Sequence, residues 1–122
     1  MGLPSSDDQV LLLHNPRCSK SRATLALLQQ RGVDFALRDY LEDPLTEDEL
    51  RGLCARLGER IGAFVRTGEK QFAASGLDGK SGDEESVAAV AAHPILLERP
   101  ILIRGNRAAI GRPPERVLSL LR

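Results

Sequence analysis

The strand–helix–strand pattern between Val10 and Leu37 constrains the fold of this chain more than any other feature. Val10-Leu11-Leu12-Leu13 is a continuous apolar run, as expected for a strand buried on both faces. From Ser19 to Gln30 the pattern turns helical, with Leu25 and Leu28 on one face and Gly32 as a stop after Arg31. Val33, Phe35 and Leu37 then alternate with Asp34, Ala36 and Arg38, the period of a strand. Two strands so close in sequence, joined through a helix, form a parallel βαβ unit with a right-handed crossover.

The remaining elements extend that unit. Thr46 and Glu49 make a capping box, and Leu50, Leu53, Cys54 and Leu57 share a face before Gly58. Ile61–Val65 and Glu69–Ala74 read as short helices. Ser81 and Glu84 suggest a second capping box opening a helix over Asp83–Ala92, which stops before Pro94. Ile101–Ile103 and Ala108–Ile110 flank Gly105-Asn106 as a β-hairpin, and Pro113-Pro114 opens a last helix packed by Val117, Leu118, Leu120 and Leu121. The expected architecture is α/β: βαβ, a helical insertion over about 44–95, then ββα on a mixed sheet. Residues 1–8 read as a flexible leader and 9–122 as one domain.

Composition limits what such a chain does. Its 122 residues carry seventeen basic and seventeen acidic side chains, so no overall field attracts nucleic acid or an anionic membrane. Aromatic residues make up 3%, too few for base-stacking platforms. No apolar run approaches the ~20 residues of a membrane span, and residues 1–8 lack the basic start of a signal peptide. Two cysteines, Cys18 and Cys54, do not form a disulfide framework, which fits a reducing, cytoplasmic setting.

Chemistry concentrates in His14-Asn15-Pro16-Arg17-Cys18-Ser19-Lys20-Ser21-Arg22, at the junction of the first strand and helix. The reactive form of cysteine is the thiolate. At this junction free backbone N–H groups and the helix dipole face Cys18. Arg17, Lys20 and Arg22 add positive charge, as does His14 when protonated, and the Ser21 hydroxyl is placed to donate to the sulfur. Such surroundings lower a cysteine pKa from about 8.5 to roughly 3.5–7.5. The same N-terminus suits an oxyanion or carboxylate, so the expected chemistry is sulfur attack on an anionic substrate. Ser21 stands where a Cys-x-x-Cys motif has its second thiol, which removes an internal dithiol cycle. A phosphatase-type Cys-x5-Arg loop would need arginine where Thr24 stands. No paired spacing of His14, Cys18, Cys54 and His93 supports a metal site.

With these residues the chain resembles the glutaredoxin-linked arsenate reductase family, which has a thioredoxin-like fold. His14-Asn15-Pro16-x-Cys18-x-x-Ser21-Arg22 matches the family's active-site motif. Tyr40-Leu41-Glu42 with Pro44, His93-Pro94-Ile95-Leu96, Arg99-Pro100-Ile101 and Gly111-Arg112-Pro113 follow in the family's order. The resemblance implies that Cys18 is the nucleophile that forms a thiolate–arsenic adduct. It also implies that Ser21 and His14 help activate the sulfur, and that Arg66, Arg99 and Arg112 hold the oxyanion. Glutathione is implied as co-substrate and glutaredoxin as partner, with no bound cofactor, metal, nucleic acid or membrane. Pro100 is implied as the cis-proline that faces the nucleophile in thioredoxin-like folds.

Each arginine also has an ordinary reading. Arg66 and Arg99 suit a surface, whereas Arg112, at a helix start, gains from a neutralising anion. Cys54 reads as core and His93 as a helix-end residue. Two other functions use the same thiolate or fold. One is a thiol–disulfide or deglutathionylating enzyme acting on a glutathione mixed disulfide. The other is a non-enzymatic regulator that binds RNA polymerase, against which Ser21 argues, because that group's redox switch is a Cys-x-x-Cys.

Overall fold

In the computed structural model, which describes residues 2–77 and 82–121, the apolar run becomes strand β1 (Val10–His14). Leu11, Leu12, Leu13 and His14 are all buried, which is why the run carries no alternation. Helix α1 (Ser19–Gln30) follows, and strand β2 (Ala36–Asp39) returns parallel to β1, with Leu11 opposite Ala36 and His14 opposite Asp39. Between α1 and β2 the turn closes on Gly32, whose φ of +66° lies where a side chain is strained.

Strand β2 departs from the sequence expectation in both place and face. Pairing with β1 begins only at Ala36, so Val33 and Phe35 precede the strand and pack instead against Leu12, Leu28, Leu102, Val117 and Leu120. Leu37 is 45% exposed and Arg38 is buried, the reverse of what alternation predicts. Arg38 is held inside by Asp43: its Nε donates to the Asp43 carbonyl at 2.9 Å and lies 3.3 Å from the carboxylate. A charge held by two oxygens can take the inward position that apolar patterning assigns to leucine.

The hairpin forms as expected, from β3 (Ile101–Arg104) and β4 (Arg107–Ile110), with Gly105 at φ +57° in the turn. Strand β3 pairs antiparallel with β1, giving the mixed order β2-β1-β3-β4. Ahead of β1, Pro4 is buried and the Asp7 carbonyl accepts from Arg104 Nε at 2.9 Å. The final segment, Pro114–Leu121, is a 3-10 helix. Its three residues per turn align Pro114, Val117 and Leu120 on one buried face. Together with β1, α1 and the hairpin, this is a thioredoxin-like α/β fold.

By packing, the chain divides into two units: Met1–Asp43 with Arg99–Arg122, and Pro44–Glu98. In the second unit α2 (Glu47–Leu57) starts with its capping box in place, Thr46 Oγ1 accepting from Glu49 N–H at 3.1 Å and Glu49 Oε1 accepting from Thr46 N–H at 3.0 Å. Such a cap contributes about 1 kcal/mol. Ile61–Phe64 is a 3-10 turn, and α3 (Lys70–Ala74) and α4 (Asp83–Ala92) follow. Of the second expected capping box, Ser81 lies outside the described residues; Gly82 is the N-cap of α4, and Glu84 Oε2 accepts from Arg51 Nη2 at 2.7 Å. Among the described residues no helix is long and apolar enough to cross a membrane.

Candidate active site

The end of β1 and the start of α1 build the site around Asn15, a residue to which the sequence reading gave no role. Asn15 is buried, its carbonyl accepts from Cys18 N–H at 3.0 Å, and its Oδ1 accepts from Arg17 N–H at 2.9 Å. Its own N–H donates to Ser21 Oγ at 3.3 Å. The loop is therefore wrapped around one asparagine. An Asx turn was the signal available in sequence. Cys18 is the N-cap of α1, with φ −100° and ψ 125°, so its side chain stands over the free N–H groups of the first turn.

Those donors decide the state of the sulfur. Burial raises the thiol pKa and is the largest single influence. The backbone N–H groups of Ser21 and Lys20 and the Arg99 guanidinium together outweigh it, and the net shift is downward. Arg112 adds Nη2, 3.6 Å from Cys18 Sγ. Cys54 is shifted the other way, upward, by burial and then by Asp83. Iodoacetamide should therefore alkylate Cys18 at least about tenfold faster than Cys54 at pH 6.5, since each unit of pKa is tenfold in thiolate. Equal rates, read by peptide mass mapping, would contradict a stabilised thiolate.

The stabilising groups differ from those expected. Ser21 acts on the sulfur through its backbone N–H, while its hydroxyl accepts from Asn15. Arg22 Nη1 donates to the Pro16 carbonyl at 2.9 Å, bracing the loop. The cations that meet the sulfur, Arg99 and Arg112, come from the other end of the chain. His14 is buried and its pKa is lowered, mainly by burial, although Asp39 opposes the shift and Arg22 adds to it. It is thus neutral at neutral pH and supplies no positive charge. Its Nδ1 has no hydrogen-bond partner among the described residues.

Arg99 and Arg112 are linked: Arg112 Nε donates to the Arg99 carbonyl at 2.7 Å. Each precedes a proline, and both the Arg99-Pro100 and Arg112-Pro113 peptide bonds are cis. Gly111 N–H donates to the Pro100 carbonyl at 2.8 Å, extending the β3–β4 ladder to the arginines. One unit thus carries Cys18, Ser21, His14, Arg99, Pro100 and Arg112. Arg66 belongs to the other unit, where Nη1 meets Glu98 at 2.8 Å and Nε meets Glu69 at 3.3 Å. His93 caps the end of α4. Among the described residues no three His, Cys, Asp or Glu side chains converge to hold a metal.

A thiolate beside two guanidinium groups can attack an oxyanion while its negative charge is held. Several known proteins are similar to this chain. A protein called arsenate reductase in Haemophilus influenzae is 40% identical over 114 residues, 92% of this chain and 98% of its own length. The Escherichia coli protein YfgD, described as uncharacterised, is 42% identical over 115 residues, 93% of this chain and 97% of its own. The solved structure of an arsenate reductase from Vibrio cholerae superposes with a TM-score of 0.87 at 41% identity, covering 92% of this chain and 97% of that one. The family model of ArsC matches residues 13–120, a span that includes the Cys18 loop and both arginines. On its sequence, its fold and the span of that match, the chain belongs to the ArsC family.

Proposed function

We propose that this protein is an arsenate reductase that draws its electrons from glutathione and glutaredoxin. The observation that carries the reading is the Cys18 sulfur, lowered in pKa, with Arg112 Nη2 3.6 Å away and Arg99 acting on it as well. Arsenate is a tetrahedral oxyanion that guanidinium forks match and never cease to attract. Relatives that bear the name arsenate reductase support the same substrate.

In the first step Cys18 Sγ forms a bond to arsenic and an arsenic–oxygen bond breaks, the oxygen leaving as water. Reducing arsenic(V) to arsenic(III) takes two electrons. Two external thiols supply them and leave as one disulfide, so arsenate and two thiols give arsenite, a disulfide and water, and Cys18 is regenerated. Ser21 occupies the position of a resolving cysteine, and hence both reducing thiols come from outside. Glutathione fills the first role and glutaredoxin the second, which places the enzyme in the cytoplasm, where both thiols are kept reduced. Arg99 and Arg112 hold the oxyanion and the charge that develops as sulfur attacks. The resemblance adds Arg66 as a third ligand. That guanidinium already carries Glu69 and Glu98, so the proposal rests on Cys18, Arg99 and Arg112.

Purified protein with arsenate, glutathione, glutaredoxin, glutathione reductase and NADPH should oxidise NADPH above a blank without the protein, and should stop when either thiol is omitted. A folded protein that gives only the blank rate would overturn the arsenate reading.

A further inference from the structure

We propose that Gly111 is a positioning residue: its missing side chain lets the end of the β3–β4 hairpin close on α1, and that closure sets the distance between Arg112 and the Cys18 sulfur. The inference rests on the reading of Cys18 as a thiolate held by arginines. Gly111 is buried, and its φ lies outside the left-handed region, so it is not required for backbone conformation. It is required for space. A Cβ there would lie 2.8 Å from Pro100 Cγ, 2.9 Å from Thr24 Oγ1 and 3.4 Å from Val117 Cγ1. Carbon approaches below 3 Å lie inside van der Waals contact, so something must move.

What moves is fixed by the neighbours. Thr24 is fully buried in α1, and its Oγ1 donates to the Lys20 carbonyl at 2.9 Å. Lys20 and Ser21 carry the N–H groups that act on the sulfur, so Thr24 ties the contact to the turn that holds Cys18. On the other side Gly111 N–H is bonded to the Pro100 carbonyl, and Arg112 is the next residue along the chain. Arg112 Nε is bonded to the Arg99 carbonyl. The strand end is therefore tied to both arginines, and the helix start to the thiol. Gly111 is where the two meet with no side chain between them. A methyl group there separates them, and the 3.6 Å contact of Arg112 with sulfur lies across the gap.

The test is Gly111→Ala, with folding checked by circular dichroism and Cys18 read by the pH profile of its alkylation, which does not depend on any arsenate activity. The profile should move to higher pH and the rate at pH 6.5 should fall about tenfold, one unit of pKa. Adding Thr24→Ala, which clears the helix side of the contact, should recover part of that loss. If Gly111→Ala does not fold, Thr24→Ile crowds the same contact with Gly111 in place and should shift the profile the same way. A folded variant with an unshifted profile would overturn the positioning role, even where its melting temperature falls. Failure of wild-type arsenate turnover with the profile shifted as expected would overturn the substrate and leave Gly111 in this role.

Discussion

Replacing Cys18 with serine is expected to bring arsenate-dependent NADPH oxidation down to the blank rate while leaving the fold intact or slightly firmer. The two halves of this expectation have separate causes. The hydroxyl of serine does not ionise near neutral pH, so the N–H groups of Ser21 and Lys20 and the two arginines have no anionic nucleophile to stabilise. Stability runs the other way. Cys18 is the N-cap of α1 and makes no side-chain capping bond. Serine is among the best residues at that position, and a cap it makes contributes about 0.5–2 kcal/mol. The loop bonds that define the turn, Cys18 N–H to the Asn15 carbonyl and Arg22 N–H to the Cys18 carbonyl, are main-chain and survive. Thermal melting together with the coupled assay separates the effects. A Cys18→Ser protein that still reduced arsenate would remove the nucleophile from the mechanism.

Truncating Arg112 to alanine should lower kcat/KM for arsenate by about 10²–10³, the cost of removing one preorganised donor to a developing oxyanion. Two losses combine here. The guanidinium leaves the sulfur, at 3.6 Å, and it also releases the Arg99 carbonyl, to which its Nε donates at 2.7 Å. Arg99→Ala should cost a similar amount and also shift the Cys18 alkylation profile to higher pH, because Arg99 lowers the thiol pKa both as a donor and as a charge. Arg112→Lys keeps the charge but not the planar fork, so it should recover only part of the activity. If Arg99→Ala and Arg112→Ala both reduced arsenate at the wild-type rate, the oxyanion would be held elsewhere.

The fold was legible wherever one local signal decided the outcome. The apolar run at Val10–Leu13, the capping box at Thr46 and Glu49, and Gly58 and Gly105 at positive φ each act within a few residues. It was less legible where a distant partner decided. Arg38 turned inward for Asp43, and Glu84 paired with Arg51, 33 positions away in the chain. Alternation counts only hydrophobicity, so neither ion pair could register.

The site shows the same division. Cys18 and Ser21 stood out because a nucleophile at a helix start is a local arrangement. The sources of positive charge did not, because nearness in sequence favoured Arg17, Lys20 and Arg22. The folded chain instead brings Arg99 and Arg112 to the sulfur through the hairpin end and its prolines, and burial keeps His14 neutral. Asn15 passed unnoticed because its work is done by main-chain groups and one side-chain oxygen, none of which needs a charged or reactive residue.

The central claim is that the Cys18 sulfur itself bonds to arsenic, and the most direct measurement is the intact mass of the folded protein incubated with arsenate and no other thiol. Wild type should gain a single arsenic-containing adduct that peptide mapping assigns to Cys18 and that glutathione with glutaredoxin removes, and Cys18→Ser should gain none. An adduct on Cys54, or the same adduct on the Cys18→Ser protein, would contradict it.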